Sequence, residues 1–394
     1  MHRFSKSFIT SILVTAVFSC SSGPASEEPV PGQVGQPLST PRRLLPFVQL
    51  LDGRVLAAGG HDGARTLATA ELFDPVTGLW SAAGSLKVAR RNHAAVTLLD
   101  GRVLVVGGSP VQVIGALASA EFFEPATGEW RVAPSMATPR IDPTAVLLPD
   151  GRVLVVGGSD VDRRTLRSAE LFEPATGAWS PVEAPGFGHS GAQSAVVLTD
   201  GRVLFVSGLQ AELFEPATGR WTKAGPAGGA AGTHRAGHTL TRLADGRVLV
   251  VGGNTSRAAE TAEVFEPATN TWTLVAAPST PRESHGAVLE PEGTVLVVGG
   301  YHFASGTLSS AERFDPLTGT WSLVTALQAP RRGAGVLRLE SGEVLLVGGF
   351  NDAGGTLASS ERYLPGQGCT PLTCTRRGGA CGVVPDGCGG FLDC

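Results

Sequence analysis

Between Cys20 and Cys369 the chain has no cysteine, so its main body has no disulfide to lean on and must hold itself together by packing. Charge is scarce as well. Only 17% of residues are charged, the formal net charge is −4, and Lys and Arg form no stripe; with six Trp and two Tyr besides, the footprint of a nucleic-acid binder is missing and no nucleic-acid partner is expected. Enzyme signatures are missing too. There is no Gly-x-Ser-x-Gly elbow, no His-Glu-x-x-His and no phosphate-binding Gly-x-x-x-x-Gly-Lys, and Asp160-Val161-Asp162 lacks the other ligands of a calcium loop. No catalytic residue, metal or cofactor is therefore expected.

Glycine and proline are abundant, at 53 and 27 residues, beside 42% hydrophobic residues, which describes a large all-β core with frequent turns. One block dominates. Asp-Gly-Arg-Val-Leu-Val-Val-Gly-Gly, followed by Ala-Glu-Leu-Phe-Glu-Pro-Ala-Thr-Gly-x-Trp, recurs every 45 to 50 residues. Its glycine pairs are Gly59-Gly60, Gly107-Gly108, Gly157-Gly158, Gly252-Gly253, Gly299-Gly300 and Gly348-Gly349, with Ser207-Gly208 as a variant, giving seven copies. A period of this length marks one supersecondary unit stacked many times.

The second copy shows the strands. Ala94 to Leu99 is a short apolar run, Asp100-Gly101 predicts a type I′ hairpin turn with two positive φ angles, and Arg102 to Val106 runs back. Val103-Leu104-Val105-Val106 is apolar without alternation, as a strand covered on both faces must be. Gly107-Gly108 ends it, Ser119 to Phe123 forms a third strand, and Glu124-Pro125-Ala126-Thr127-Gly128 turns into a fourth at Trp130. Four-stranded sheets too small to bury both faces alone, repeated radially, make a β-propeller.

Trp80, Trp130, Trp179, Trp221, Trp272 and Trp321 each fall at the same place in a repeat. A glycine pair, then a strand with Leu or Phe, then Trp resembles the kelch repeat, and the Ala-Glu-Leu-Phe-Glu-Pro-Ala-Thr-Gly-x-Trp form is similar to its bacterial variety. The resemblance spans about residues 32 to 365 and implies a seven-bladed kelch-type propeller. The seventh repeat departs from it, since Ser359-Ser360-Glu361-Arg362-Tyr363 is followed by no Trp strand. Closure follows from spacing. Trp80 to Arg90, Trp130 to Arg140, Trp272 to Arg282 and Trp321 to Arg331 are ten residues apart, and Trp179 to Ser190 eleven. Counting back from Arg42 aligns residues 33–42 with Arg131 to Arg140, so the N-terminal segment supplies the missing outer strand of the last blade.

Strand order puts the loops after the glycine pairs and the entries to the inner strands on one face, and the Asp-Gly turns on the other. Arg42, Arg90, Arg140, Arg235, Arg282 and Arg331 lie on the first face, one per blade, with Ser190 in the fourth; a guanidinium ring at the channel mouth would bind carboxylates or other anions. The other reading pairs them with Glu71, Glu121, Glu170, Glu212, Glu263, Glu312 and Glu361, also one per repeat. Residues that break the repeat, namely His61, Asp62, Asp160, Asp162, Asn254, Tyr301, His302, Phe303, Phe350, Asn351 and Asp352, sit in loops that would carry binding; of these His61, Tyr301, His302 and Asn351 suit a sugar or protein ligand. The fourth blade's loop shrinks to Leu209-Gln210, leaving a notch beside the Gly-rich stretch from Gly225 to Gly232. His93, His238 and His285 recur in step with the repeat and read as packing.

The ends lie outside the repeat. Arg3 and Lys6 precede an apolar run of 11 residues, Phe8 to Phe18, too short to span a bilayer, and Val17-Phe18-Ser19-Cys20 resembles a lipobox, with ordinary secretory cleavage as the alternative. The division is then a signal peptide over 1–19, a tether over 20–31 lipidated on Cys20, a propeller over 32–365 and a tail over 366–394. In that tail Cys369, Cys374, Cys381, Cys388 and Cys394 read as a disulfide module with one odd thiol, ahead of a zinc site. The resemblance implies a binding module whose loop face meets a protein or glycan at the cell envelope, as an outer-membrane lipoprotein or a secreted monomer. The alternative is a carbohydrate-active enzyme gripping a uronate through the Arg set. Some kelch-like propellers are copper oxidases with a Tyr–Cys cross-link; with Tyr301 and Tyr363 alone and no Cys in the repeats, that activity is not carried over.

Overall fold

A computed structural model of the chain describes residues 33–110, 115–189, 195–208, 210–225, 236–253 and 261–363, with two paired tail strands, Val383–Pro385 and Phe391–Asp393. Cys20, Asn254, Arg235, Ser190, Leu209, most of the Gly-rich stretch and the five tail cysteines fall outside the described residues. Among the described residues there is no helix, and so none long and apolar enough to cross a membrane.

Seven four-stranded antiparallel sheets stand in a closed circle, each inner strand touching those of its two neighbours. The chain is a seven-bladed β-propeller. Blade two runs Ala94–Thr97, Val103–Val106, Ala120–Glu124 and Glu129–Ala133 from the axis outward. Its second strand shows why the apolar run does not alternate. Val103 and Val105 pack into the first blade against Leu56 and Leu72, while Leu104 and Val106 pack into the third against Val153, Val155 and Phe172. Neither face meets water.

The seventh blade joins the two ends of the repeat array. Gly335–Arg338, Val344–Val347 and Ser360–Tyr363 are completed by Gln33–Gly35, with Val34 opposite Glu361 as Val132 is opposite Glu121 in blade two. The register is therefore the one the spacing predicts. Leu38 follows, 3% exposed, in a cluster with Phe73, Leu339 and Leu345 that spans the seam. Tyr363 stands where other blades have Phe, and its hydroxyl donates to Thr325 O at 3.2 Å. Burial pushes that phenol up to about 12, so it stays a neutral donor.

One turn differs from expectation. At the Asp-Gly turns only the glycine has positive φ, +88° at Gly101, while Gly101 N and Leu98 N bond Leu98 O and Arg102 O. This is a three-residue loop closed by a glycine bulge, not a type I′ turn. Asp100 explains the choice: it accepts the Arg102 amide at 3.1 Å and its guanidinium at 2.6 Å, holding the turn in the right-handed region. The arrangement recurs. Arg54 and Arg152 reach on from the same turn to Pro125 O and Pro216 O of the next blade, clasping neighbours on this face.

Candidate functional site

The Arg and Glu sets meet. Arg42, Arg90, Arg140, Arg282 and Arg331 are at most 1% exposed and pair with Glu71, Glu121, Glu170, Glu312 and Glu361 at 2.6–3.1 Å. Each guanidinium also donates to two backbone carbonyls; for Arg140 these are Gly157 O at 2.9 Å and Ser168 O at 2.8 Å. Each Glu in turn accepts the backbone of the crossover between blades, as Glu170 does from Ala137 and Thr138. Buried charge survives here because it is paired and bonded throughout. Of the two readings of the arginine set, the structure has the pairing with glutamate and not the anion-binding ring: these five arginines are buried inside the wall, and they tie each crossover to the blade it enters.

The glycine pair is the other half of that joint. Gly108 N donates to Arg140 O of the following blade at 2.7 Å, and Gly349 N closes the circle on Arg42 O at 3.0 Å. A side chain on Gly157 would lie 2.0 Å from His189 O, at φ +63°, so only glycine lets the blades approach this closely.

His189 was hidden in the sequence by one residue. It, not Ser190, replaces the arginine in blade four: it is fully buried, its Nε2 is 3.0 Å from Glu212, and its carbonyl receives Gly158 N. Ten residues separate it from Trp179, the spacing kept elsewhere. The smaller imidazole leaves room, and Phe205 fills it, 5.3 Å away in ring centroids, where blades two and three have Val105 and Val155. His93, His238 and His285 are buried, and burial together with nearby arginine holds His93 down at about 3, a neutral packing residue. Among the described residues no three His, Cys, Asp or Glu gather as a metal site.

Above this joint, blades six, seven and one carry a braced cluster of aromatic residues on the loop face. Tyr301–His302 pairs with Gly306–Thr307 as a small ribbon whose tip, Phe303, is 65% exposed. Phe350–Asn351 with Gly355–Thr356 is its counterpart on blade seven. The two are braced: Thr307 donates its amide and hydroxyl to Asp352 at 2.9 and 2.7 Å, Asp352 pairs with Arg332 at 3.0 Å, and Arg332 lies over Tyr301 at 4.5 Å and Phe350 at 5.0 Å. Arg43 covers Phe350 from blade one at 4.8 Å. Asn351 is occupied in its own loop, donating to Pro330 O and accepting from Ala353. His302 lies 3.3 Å from the Ser305 hydroxyl. His61 is 2% exposed and accepts Gly63 N, and burial with Arg91 and Arg43 nearby holds it below its ordinary value. Of the expected binding residues, then, the structure brings Tyr301 and His302 to the surface and turns His61 and Asn351 to structural use. Arg43, Arg91 and Arg332, each next to a buried arginine, carry no repeat signal, since the same place is Ile141 in blade three and Glu283 in blade six.

The kelch motif matches four stretches of the chain, residues 42–87, 90–137, 143–186 and 284–328, each lying on described blades. Four of the seven blades thus carry the kelch motif. These kelch matches support a kelch-repeat family for the chain. No curated protein matches it. Among solved structures it is similar to a novel fungal alcohol oxidase with catalytic diversity among the AA5 family, in complex with copper, at a TM-score of 0.70 and 18% identity over 85% of this chain and 76% of that one. At that identity the likeness is one of fold.

Proposed function

We propose that the protein is a binding module that docks a partner protein on the loop face of the kelch propeller. The observation that carries this reading is the braced ribbon of blade six, which presents Phe303 65% exposed on a support tied to blade seven through Asp352 and Arg332. An exposed aromatic held rigidly loses little entropy when it is buried by a partner, which is what an interface anchor requires. The enzyme alternative loses five of its six grip residues, since Arg42, Arg90, Arg140, Arg282 and Arg331 are buried in ion pairs with glutamate. The apolar segment before Cys20 supports export, and Ser19-Cys20 followed by a Ser- and Pro-containing stretch supports lipid anchoring at the cell envelope.

A photo-crosslinking residue placed at Phe303, with one at Val76 on the opposite face as control, tests the docking side in cells. Protein adducts from position 303 alone are expected. Equal adducts from both positions would contradict the reading, and no adduct from 303 together with Tyr301-dependent glycan binding would replace the protein by a glycan. Palmitate labelling that persists in Cys20→Ser would overturn the anchor.

A further inference from the structure

Both ends of the repeat array leave the wheel at one place. Gln33–Gly35 runs antiparallel to Ser360–Tyr363, with Gln33 opposite Arg362 and Gly35 opposite Ser360. The third strand of a blade runs from the loop face to the face of the Asp-Gly turns, so Gln33 and Tyr363 both stand at the turn face of blade seven. The segment that joins Gln33 to Cys20 therefore departs from that face. It is twelve residues long, Ser21 to Gly32, and such a length spans at most about 43 Å when fully extended.

Blades six and one, which flank blade seven, carry an apolar residue that the others lack. In the turn between third and fourth strands blade one has Val76 and blade six Leu317, where blades two to five have Ala126, Ala175, Ala217 and Ala268. Val76 and Leu317 are 92% and 96% exposed, more than any other large apolar residue among those described. Both are held stiffly. Asp74 and Asp315 accept the Val76 and Leu317 amides, each at 2.8 Å, and Gly78 N and Gly319 N close the turns on Asp74 O and Asp315 O, also at 2.8 Å. Blade one's turn lies against the exit: a side-chain carbon on Gly78 would be 3.5 Å from Arg362 Nη1, and Arg362 pairs with Gln33 across the strands. Glu343 already answers Arg362 and Asp52 answers Arg54, so what the turns offer a partner here is apolar. Rigid apolar tips are unfavourable in water and less so at a lipid interface. We propose that the turn face around blade seven rests on the membrane that holds the Cys20 lipid, with Val76 and Leu317 dipping into its interface and the loop face turned away from it. This orientation rests on the lipid-anchor reading and deepens it, because the anchor then sets which side of the wheel a partner can reach. With the loop face down, the tether would have to climb the outer side of blade seven while Val76 and Leu317 stayed in water.

A diazirine-bearing residue placed in turn at Val76, at Leu317 and, as a loop-face control, at Val161 of the full chain in cells tests the orientation, with adducts sorted by mass into lipid, tail peptide and second copy. Lipid adducts are expected from 76 and 317 and are expected to be lost at 161. Because the contact is apolar, they should persist when isolated membranes are irradiated in molar salt. Palmitate incorporation read on the same samples separates the two readings. A chain that takes up palmitate on Cys20 yet gives no lipid adduct at 76 and 317, whether those positions meet residues 364–394, a second copy or water, keeps its anchor and overturns the orientation. Equal lipid adducts from 161 overturn it too. A chain that takes up no palmitate overturns both.

Discussion

Replacing Asp142 by Asn should stabilise the protein at neutral pH and lose that effect in acid. Asp142 stands where the chain enters blade three, with φ +55°, its amide donating to Asn92 O at 2.7 Å. The same left-handed place is held by Asn92 in blade two and Ser284 in blade six, at +49° and +52°, so Asn fits the backbone at least as well as Asp. Burial pushes the Asp142 carboxyl up to about 6 from its ordinary 3.8, with no neighbouring cation to offset it. That difference corresponds to about 3 kcal/mol, and since part of the side chain still meets water about 2 kcal/mol is the expected gain. The sign follows from where the proton is held more tightly. The folded state binds it better, so the penalty of the charged form is in full force above pH 6, fades between 6 and 3.8, and is gone below 3.8. Urea unfolding of wild type and Asp142→Asn at pH 7.5 and again near pH 4 isolates this group, because the acid lability of the other carboxylates is common to both proteins. A variant that is neutral or weaker at pH 7.5, or a difference that does not shrink in acid, would refute the reasoning.

Other perturbations probe the joints between blades. His189→Arg alone should destabilise by about 1–3 kcal/mol because Phe205 occupies the space an arginine needs, Phe205→Val alone should leave a cavity, and the double variant should recover most of the loss; a cycle with no coupling in denaturant melts would show that the two are independent. Gly157→Ala should lose about 3 kcal/mol or more, since it adds a collision with His189 O to the left-handed penalty, whereas Gly128→Ala, at φ +72° with nothing within 4 Å, should lose only about 1 kcal/mol; equal losses would mean that the close approach is unimportant.

The wheel itself could be read from the sequence because each blade repeats the same physical demands. Asp-Gly for a bulged turn, four apolar residues for a strand buried on both sides, and a glycine pair where backbones meet recur often enough to be recognised even where one copy drifts. Even the closing strand was legible, through the constant distance from Trp to Arg. The site was harder to see. A repeated arginine catches the eye, yet repetition is what the scaffold imposes, and the buried pairing of Arg140 with Glu170 is the result. Arg43, Arg91 and Arg332 vary between blades, Ile141 and Glu283 taking the same place, and only the folded circle shows Arg43 and Arg332 meeting on the Phe350 ring. His189 escaped for another reason: a histidine in place of arginine is intelligible only together with Phe205, which lies in a different strand.

That the N-terminal strand locks the circle is best tested by removing everything before Pro41 and measuring unfolding in urea. The truncation deletes the pairing of Gln33–Gly35 with Ser360–Arg362, the Leu38 amide bond to Ala358 O, and the Leu38 side chain from a cluster shared by blades one and seven. Loss of a buried leucine alone is worth about 2–5 kcal/mol, so a clear fall of the midpoint is predicted, with the seventh blade opening first. A midpoint and slope identical to those of the full chain would contradict the closed wheel.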